Sequence, residues 1–294
     1  MSDAGTHAIV ERLLGAEHPG PFRWKARGRG VGGALWQVQS ADMGWCVKTT
    51  ADDPQMLIAE ADGLRALTQC GAVRVPQVLA AEACDGEAYL LMEWLAFSTK
   101  NAPAAAKLGE QLARQHRCLG ERFGWRRNNF IGATPQFNWP TDDWVKFFRD
   151  HRLGFQLRLA AENGYRGELQ EQGARLMETL PALFAGYIPQ VSLLHGDLWG
   201  GDWGALDNSE PVIFDPAIYY GDREADIAMT ELFGGFAPEF YAAYNGVWPL
   251  DAGYQTRRDL YNLYHVLNHL NFFGVNYLDQ AQQLMVRLLS ELST

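Results

Sequence analysis

A single change of periodicity divides this chain. Up to residue 94 the apolar residues run in strand-like stretches, at 34–39, 45–50, 77–82 and 87–94, with turns expected at Asp42–Gly44 and at Cys84-Asp85-Gly86. One helical pattern, 53–67, interrupts them. Asp53 can cap it, Pro54 suits its first turn, and Met56, Leu57, Ala61, Leu64 and Leu67 form its apolar stripe. A further helix is expected over 6–16. After "MEWL" the period becomes helical, over 102–118, 142–162, 167–186, 222–233, 237–245, 255–273 and 277–292. Strand-like pieces recur there only at 191–194, 205–207 and 211–215. This order predicts an α+β chain in two lobes, a small β-rich one (1–95) and a larger helical one (96–294), with a ligand between them.

Composition excludes several partners. A formal net charge of −10 lacks the basic patch of a nucleic-acid binder. No apolar run has the length of a membrane span, and the first twenty residues lack a signal-peptide core. Cys46, Cys70, Cys84 and Cys118 form no CxxC pair and read as reduced thiols, and the chain as cytoplasmic.

Four features then stand in a fixed order. Gly28, Gly30, Gly32 and Gly33 cluster between strand candidates, where glycine lets backbone N–H groups approach phosphate oxygens. Lys48 ends a strand and Glu60 lies within the next helix. This is the pairing that holds nucleotide phosphates in protein kinases. The stretch "LLHGDLWGGDWG" (193–204) places Asp197 where a substrate hydroxyl could give up its proton, with His195 as a structural residue of the loop. Asp202, five residues on, takes the metal-ligand position of the kinase catalytic loop. Asp215 closes the set, brought back beside Asp202 by an intervening hairpin. Two carboxylates so close tolerate each other if Mg²⁺ lies between them and bridges nucleotide phosphates. Asp226 could anchor the catalytic loop through backbone N–H groups, sit at a helix start favoured by the dipole, or both. In the hinge, Glu93 and Leu95 would meet adenine through their backbones. Singly these signals are weak; in this order they specify a phosphotransferase of protein-kinase-like fold using ATP and Mg²⁺.

The stretches "LLHGDLWGGD", "PVIFDPAIYYGDREADIAMTELFGGF", "NNFIGATPQFNWPTDDWVKFFRDHRL" and "LYNLYHVLNHLNFFG" resemble the fructosamine kinase (ketosamine-3-kinase) family over nearly the whole chain. That resemblance implies phosphorylation of the sugar 3-hydroxyl of an Amadori-type adduct, a small ketosamine or a glycated lysine. Phosphate leaves more readily than hydroxide, so the step would begin release of the glycated amine. Three positions depart from the family pattern: Asp202 stands where Asn is usual, Asp222 where His is frequent, and Asn128 where Asp is common. The first bears on catalytic strength and metal preference, including tolerance of Mn²⁺.

On the substrate side, Trp199 could lay its ring against a sugar or pack beneath the loop. Asn129 is a candidate for loop packing or substrate contact. His269, in an otherwise apolar helix, becomes a substrate candidate through the resemblance. Two other functions compete: phosphotransfer to a different small hydroxyl, such as an aminoglycoside or amino alcohol, and a nucleotide-binding pseudokinase, which rests on Asp202 alone.

Overall fold

The computed structural model describes residues 3–292 except 19, 31, 42 and 85, so the expected turn residues Asp42 and Asp85 lie outside the described residues. Helix α1 (Asp3–Gly15) precedes strands β1 (Arg23–Gly30), β2 (Gly33–Ser40) and β3 (Met43–Thr50). Helix α2 (Pro54–Cys70) follows, then β4 (Val78–Cys84) and β5 (Glu87–Glu93). These strands form one antiparallel sheet in the order β1-β2-β3-β5-β4. Lys48 on β3 stands opposite Leu35 on one side and Leu90 on the other, in the middle of the sheet.

Helix α2 is specified locally. The Asp53 carboxylate accepts from Gln55 N–H at 2.9 Å, Pro54 occupies the first turn, and Gly71 closes the end in a left-handed conformation. Its buried face, Leu57, Ala61, Leu64 and Leu67, belongs to an apolar core that continues into the second lobe. The opposite face of the sheet packs a separate cluster, Val38, Trp45, Val47, Tyr89 and Leu91, under Val10 and Leu14 of α1.

The C-terminal lobe comprises α3 (Ala102–Gln115), the hairpin β6 (Asn129–Ile131) and β7 (Thr134–Gln136), α4 (Trp144–Phe147), α5 (Gly154–Glu162) and α6 (Glu168–Thr179). Then come β8 (Ser192–Leu194), β9 (Trp203–Ala205), β10 (Pro211–Ile213), β11 (Tyr219–Gly221), α7 (Glu224–Leu232), α8 (Pro238–Val247), α9 (Tyr254–Phe273) and α10 (Leu278–Glu291). The helix expected over 142–162 is interrupted by a π-helical turn, Phe148–Leu153, between α4 and α5. Strands β6, β7 and β11 were not expected. Each has three residues, too few to display a period of two.

The cysteine reading needs correction. Cys70 and Cys118 form a disulfide, because the end of α2 lies against the segment that follows α3. The bond is one of several ties between α2 and the second lobe. Asp62 accepts from Trp125 Nε1 at 2.8 Å and pairs with Arg126, and Gln55 accepts from Arg127 at 3.0 Å.

Candidate active site

Asp197 projects from the loop between β8 and β9, and the start of that loop is held through its backbone. The Asp226 carboxylate, at the start of α7, accepts from the N–H of His195 at 2.7 Å and from that of Gly196 at 2.8 Å. His195 Nε2 donates to the Phe214 carbonyl at 2.9 Å, which leaves Nδ1 to accept from the Asp197 N–H at 3.3 Å. Gly196 has φ of 87°, and a Cβ there would lie 2.0 Å from the Ala217 carbonyl oxygen. Only glycine fits this turn.

Asp226 itself is supported by residues that sequence reasoning missed. His116, fully buried just after α3, donates Nε2–H to Asp226 at 3.1 Å, and its Nδ1 accepts from Tyr244 at 2.8 Å. Arg223 donates to the same Tyr244 oxygen at 3.1 Å. Burial would raise the Asp226 pKa, but the hydrogen bonds from His116 and from the N–H of Gly196 outweigh it, so the carboxyl lies below its usual range. Burial in turn lowers His116. Nothing local marks these residues, which lie up to 128 positions apart along the chain.

Across the cleft, Lys48 Nζ lies 2.7 Å from Glu60 Oε1 and 2.6 Å from Asp215 Oδ1. Burial alone would lower the lysine; the charges of Asp215 and Glu60 more than reverse this and keep it an ammonium. Burial, opposed by Lys48 and reinforced by Asp215, pushes Glu60 up to about 7. Asp215 adopts φ of 59°, a left-handed conformation that is strained for a non-glycine residue and turns the carboxylate into the cleft.

The hairpin β9–β10 returns Asp215 beside Asp202, as Phe214 N–H donates to the Asp202 carbonyl at 3.0 Å. Burial, then the charges of Asp215 and Asp197, drive the Asp202 carboxyl well above its usual range. Asp197 is likewise pushed up to about 7 by burial, then by Asp215 and Asp226. Among the described residues no three acidic, His or Cys side chains form a closed metal cage. Two mutually repelling oxygen donors open to the cleft instead fit a hard divalent cation that takes its remaining ligands from water and phosphate.

These residues line one cleft of about 410 Å³, together with Gly30, Gly32, Gly33, Met56, Asn129, Phe130 and Trp199. The glycines sit at the β1–β2 turn, with Gly30 paired to Gly33. Gly33, at φ of 113°, would bring a Cβ within 2.0 Å of the Thr49 carbonyl oxygen, whereas added Cβ atoms at Gly28, Gly30 and Gly32 would meet nothing within 4 Å.

The sequence model of the fructosamine kinase family matches residues 17–291. The chain belongs to the fructosamine kinase family. It is 43% identical over 274 residues to a Synechocystis sp. protein named a probable ketoamine kinase, 92% of each chain being covered. It is 41% identical over 235 residues to the chloroplastic protein-ribulosamine 3-kinase of Arabidopsis thaliana, 79% of this chain and 72% of that one. A solved Thermobifida fusca structure, provisionally named a fructosamine-3-kinase, superposes with a TM-score of 0.85 at 32% identity, over 96% of this chain and 98% of that one. An aminoglycoside phosphotransferase shares the fold, with a TM-score of 0.64 at 14% identity over 95% of this chain and 97% of that one.

In this fructosamine kinase the substrate-side candidates have different surroundings. Trp199, two residues beyond Asp197, is 42% exposed and borders the cleft. Asn129 also borders it, but its amide is committed: Nδ2 donates to the Ile218 carbonyl at 2.7 Å, and Oδ1 accepts from Gln136 and Asn138. That arrangement favours loop packing for the side chain. His269 does not line the cleft. It lies among Phe233, Phe273 and Tyr277, donating Nδ1–H to the His265 carbonyl at 2.8 Å. Glu93 and Leu95 are also outside the cleft lining. The Glu93 N–H is already taken by the Gln77 carbonyl at 3.0 Å, and its carboxylate by Arg74 and the Gln77 N–H. Asp222 is wholly buried and accepts from Tyr187 and Tyr261, and Asn128 accepts from the Asn138 N–H. These two departures from the family pattern thus have structural partners.

Proposed function

We propose that this kinase transfers the γ-phosphoryl group of ATP to the 3-hydroxyl of a ketosamine, the sugar part of a fructosyl- or ribulosyl-amine, free or on a lysine side chain. The observation that carries the reading is the convergence of Asp197, Lys48–Glu60, Asp202 and Asp215 on one cleft in a chain matched almost throughout to fructosamine kinases. Asp197 accepts the hydroxyl proton as the sugar oxygen attacks the γ-phosphorus. The bond from that phosphorus to the β–γ bridging oxygen breaks, and ADP departs. Lys48, held by Glu60, neutralises the α- and β-phosphates, and the backbone of the glycine turn lies over them. Asp202 and Asp215 are the residues that would hold Mg²⁺. When bound it supplies positive charge against the phosphates. Trp199 offers a flat apolar face to the sugar, whereas His269, outside the cleft lining, is left to packing in α9.

The product carries phosphate on carbon 3, a better leaving group than hydroxide, so enolisation toward carbon 1 can expel it and free the amine. The reaction thereby initiates deglycation. Among the described residues no helix is long and apolar enough to cross a membrane.

The test is incubation with ATP, Mg²⁺ and a panel of fructosyl- and ribulosyl-amines, read by phosphorus NMR. Phosphorylation at O3 is expected. Transfer only to unrelated alcohols would overturn the substrate assignment.

A further inference from the structure

The loop that carries Asp197 is fixed through its backbone, yet the Asp197 side chain is not. Among the described residues this carboxylate accepts no hydrogen bond; burial and the charges of Asp215 and Asp226 act on it instead. A carboxylate free to rotate presents its oxygens to the acceptor hydroxyl in many orientations, only some of them productive. A ring nitrogen of a neighbouring helix faces it. His265 Nδ1, on α9, lies 3.7 Å from Asp197 Oδ1. That nitrogen is buried and has no hydrogen-bond partner among the described residues, and the whole residue is 4% exposed.

Buried ring nitrogens normally find partners, and an orphan of this kind calls for a reason. The separation exceeds a direct hydrogen bond by somewhat less than about 1 Å. Catalytic hydrogen bonds are commonly long without substrate and tighten when it binds. The mounting on both sides is rigid. Helix α9 is locked to α7 by the buried pair Arg257–Glu224, at 2.7 and 3.2 Å, and α7 carries the Asp226 that holds the catalytic loop. A small movement of the Asp197 side chain therefore closes the gap without moving either helix.

We propose that His265 is a positioning residue, donating Nδ1–H to Asp197 Oδ1 so that Oδ2 faces the attacking hydroxyl. Asp226 then fixes where the loop lies and His265 fixes which way its carboxylate points. Burial, together with the nearby His269 and Arg152, keeps the imidazole uncharged, its pKa down at about 3 despite Asp226. The contact is thus that of a neutral donor, which orients the carboxylate without the charge of a cation. The proposal rests on Asp197 being the base of the kinase reaction.

Three substitutions separate geometry from mere polarity. The amide nitrogen of asparagine can occupy the place of imidazole Nδ1, whereas that of glutamine falls nearer Nε2. His265→Asn is expected to stay within about threefold of wild-type kcat. His265→Gln and His265→Leu are expected to lose about 10- to 100-fold, the usual scale for a partner that orients a reacting group. KM for ATP and for the ketosamine should stay within about twofold, because the lost contact is not with either substrate. In an Asp197→Asn background, His265→Gln should cost nothing further. Equal kcat for the Asn and Gln variants, a loss confined to ketosamine KM, or additive losses with Asp197→Asn would each overturn the proposal. So would a lowered Tm with unchanged kcat. The imidazole ¹H–¹⁵N spectrum gives a readout independent of turnover. His265 should be the Nδ1–H tautomer, and its signal should move in Asp197→Asn. An Nε2–H tautomer sinks the proposal even if wild type phosphorylates no ketosamine, an outcome that would by itself sink only the functional reading.

Discussion

The two walls of the cleft are built to opposite standards. The catalytic loop has two backbone N–H groups matched to Asp226, which His116 and then Tyr244 support from behind, and a glycine whose replacement would strike backbone. The glycine turn opposite is carried by a largely exposed strand, and open space surrounds Gly28, Gly30 and Gly32. One wall is organised before any ligand arrives. The other has, at Gly30 and Gly32, glycines that the protein's own packing does not require, whereas a Cβ at Gly33 would strike the Thr49 carbonyl. Preorganised dipoles favour the chemical step, since they need no rearrangement as charge develops. Open space beside Gly30 and Gly32 leaves room for nucleotide. The contrast assigns the first wall to kcat and the second to the KM for ATP.

Asp197→Asn should produce the largest effect. Loss of the proton acceptor is expected to lower kcat by about 10²–10⁴-fold with ATP binding nearly unchanged. Single-turnover kinetics beside nucleotide titration would check it, and a near-normal kcat removes Asp197 from the mechanism.

Lys48→Ala tests the seam between the walls, because Lys48 pairs with Glu60 of α2 and with Asp215 of the catalytic side. Removing it costs the charged contact to phosphate and leaves two carboxylates without their shared cation. The expected loss in kcat/KM for ATP is about 10²-fold, the scale of a charged hydrogen bond of about 1.5–3 kcal/mol. Unaltered ATP kinetics in a folded variant would show that the nucleotide lies elsewhere.

A glycine pair breaks or sharpens the comparison directly. Gly196→Ala should lower Tm, since the left-handed turn and the Ala217 carbonyl leave no room; strain of this kind costs about 1–3 kcal/mol. Gly30→Ala should leave Tm unchanged and raise the KM for ATP a few-fold, as its methyl group projects into space that only ligand uses. Equal melting losses in both would mean the turn is as tightly specified as the loop, and the contrast would fail.

The same contrast explains what could be read from the sequence. Helix α2 was legible from Asp53, Pro54 and its apolar spacing, because caps and amphipathic stripes are local. The order Lys48, Glu60, Asp197, Asp202, Asp215 was legible because each lies beside a recognisable strand end, loop or helix. The support behind the loop was not. His116, Tyr244 and Arg223 are single polar residues on different helices, and only the fold makes them neighbours. The Cys70–Cys118 bond was hidden for the same reason, as it joins residues 48 positions apart with no motif between them. His265 lies one turn before His269 in the same helix, but its orientation toward Asp197 depends on how α9 packs.

The smallest effect, and the one most particular to this chain, is expected at Asp202. An amide there would offer a metal one neutral oxygen, whereas the aspartate offers a charged one. With Asp215 the site then holds two carboxylates before nucleotide arrives, and hard divalent cations favour such oxygens. Without metal, burial and the charges of Asp215 and Asp197 favour the protonated form of Asp202, so metal binding there displaces a proton. Asp202→Asn is therefore expected to keep or modestly raise kcat. It should also raise the Mg²⁺ concentration for half-maximal rate by about three- to tenfold, at most about 1.4 kcal/mol. The wild type should also accept Mn²⁺ more readily than the variant. A pseudokinase predicts the reverse order of activities, with the wild type inert and the Asn variant gaining turnover. Titrating both proteins with Mg²⁺ separates the two. Identical metal dependence and identical rates would mean that Asp202 plays no part in holding the metal, leaving the rigid wall of the cleft with Asp215 as its one metal-facing acid.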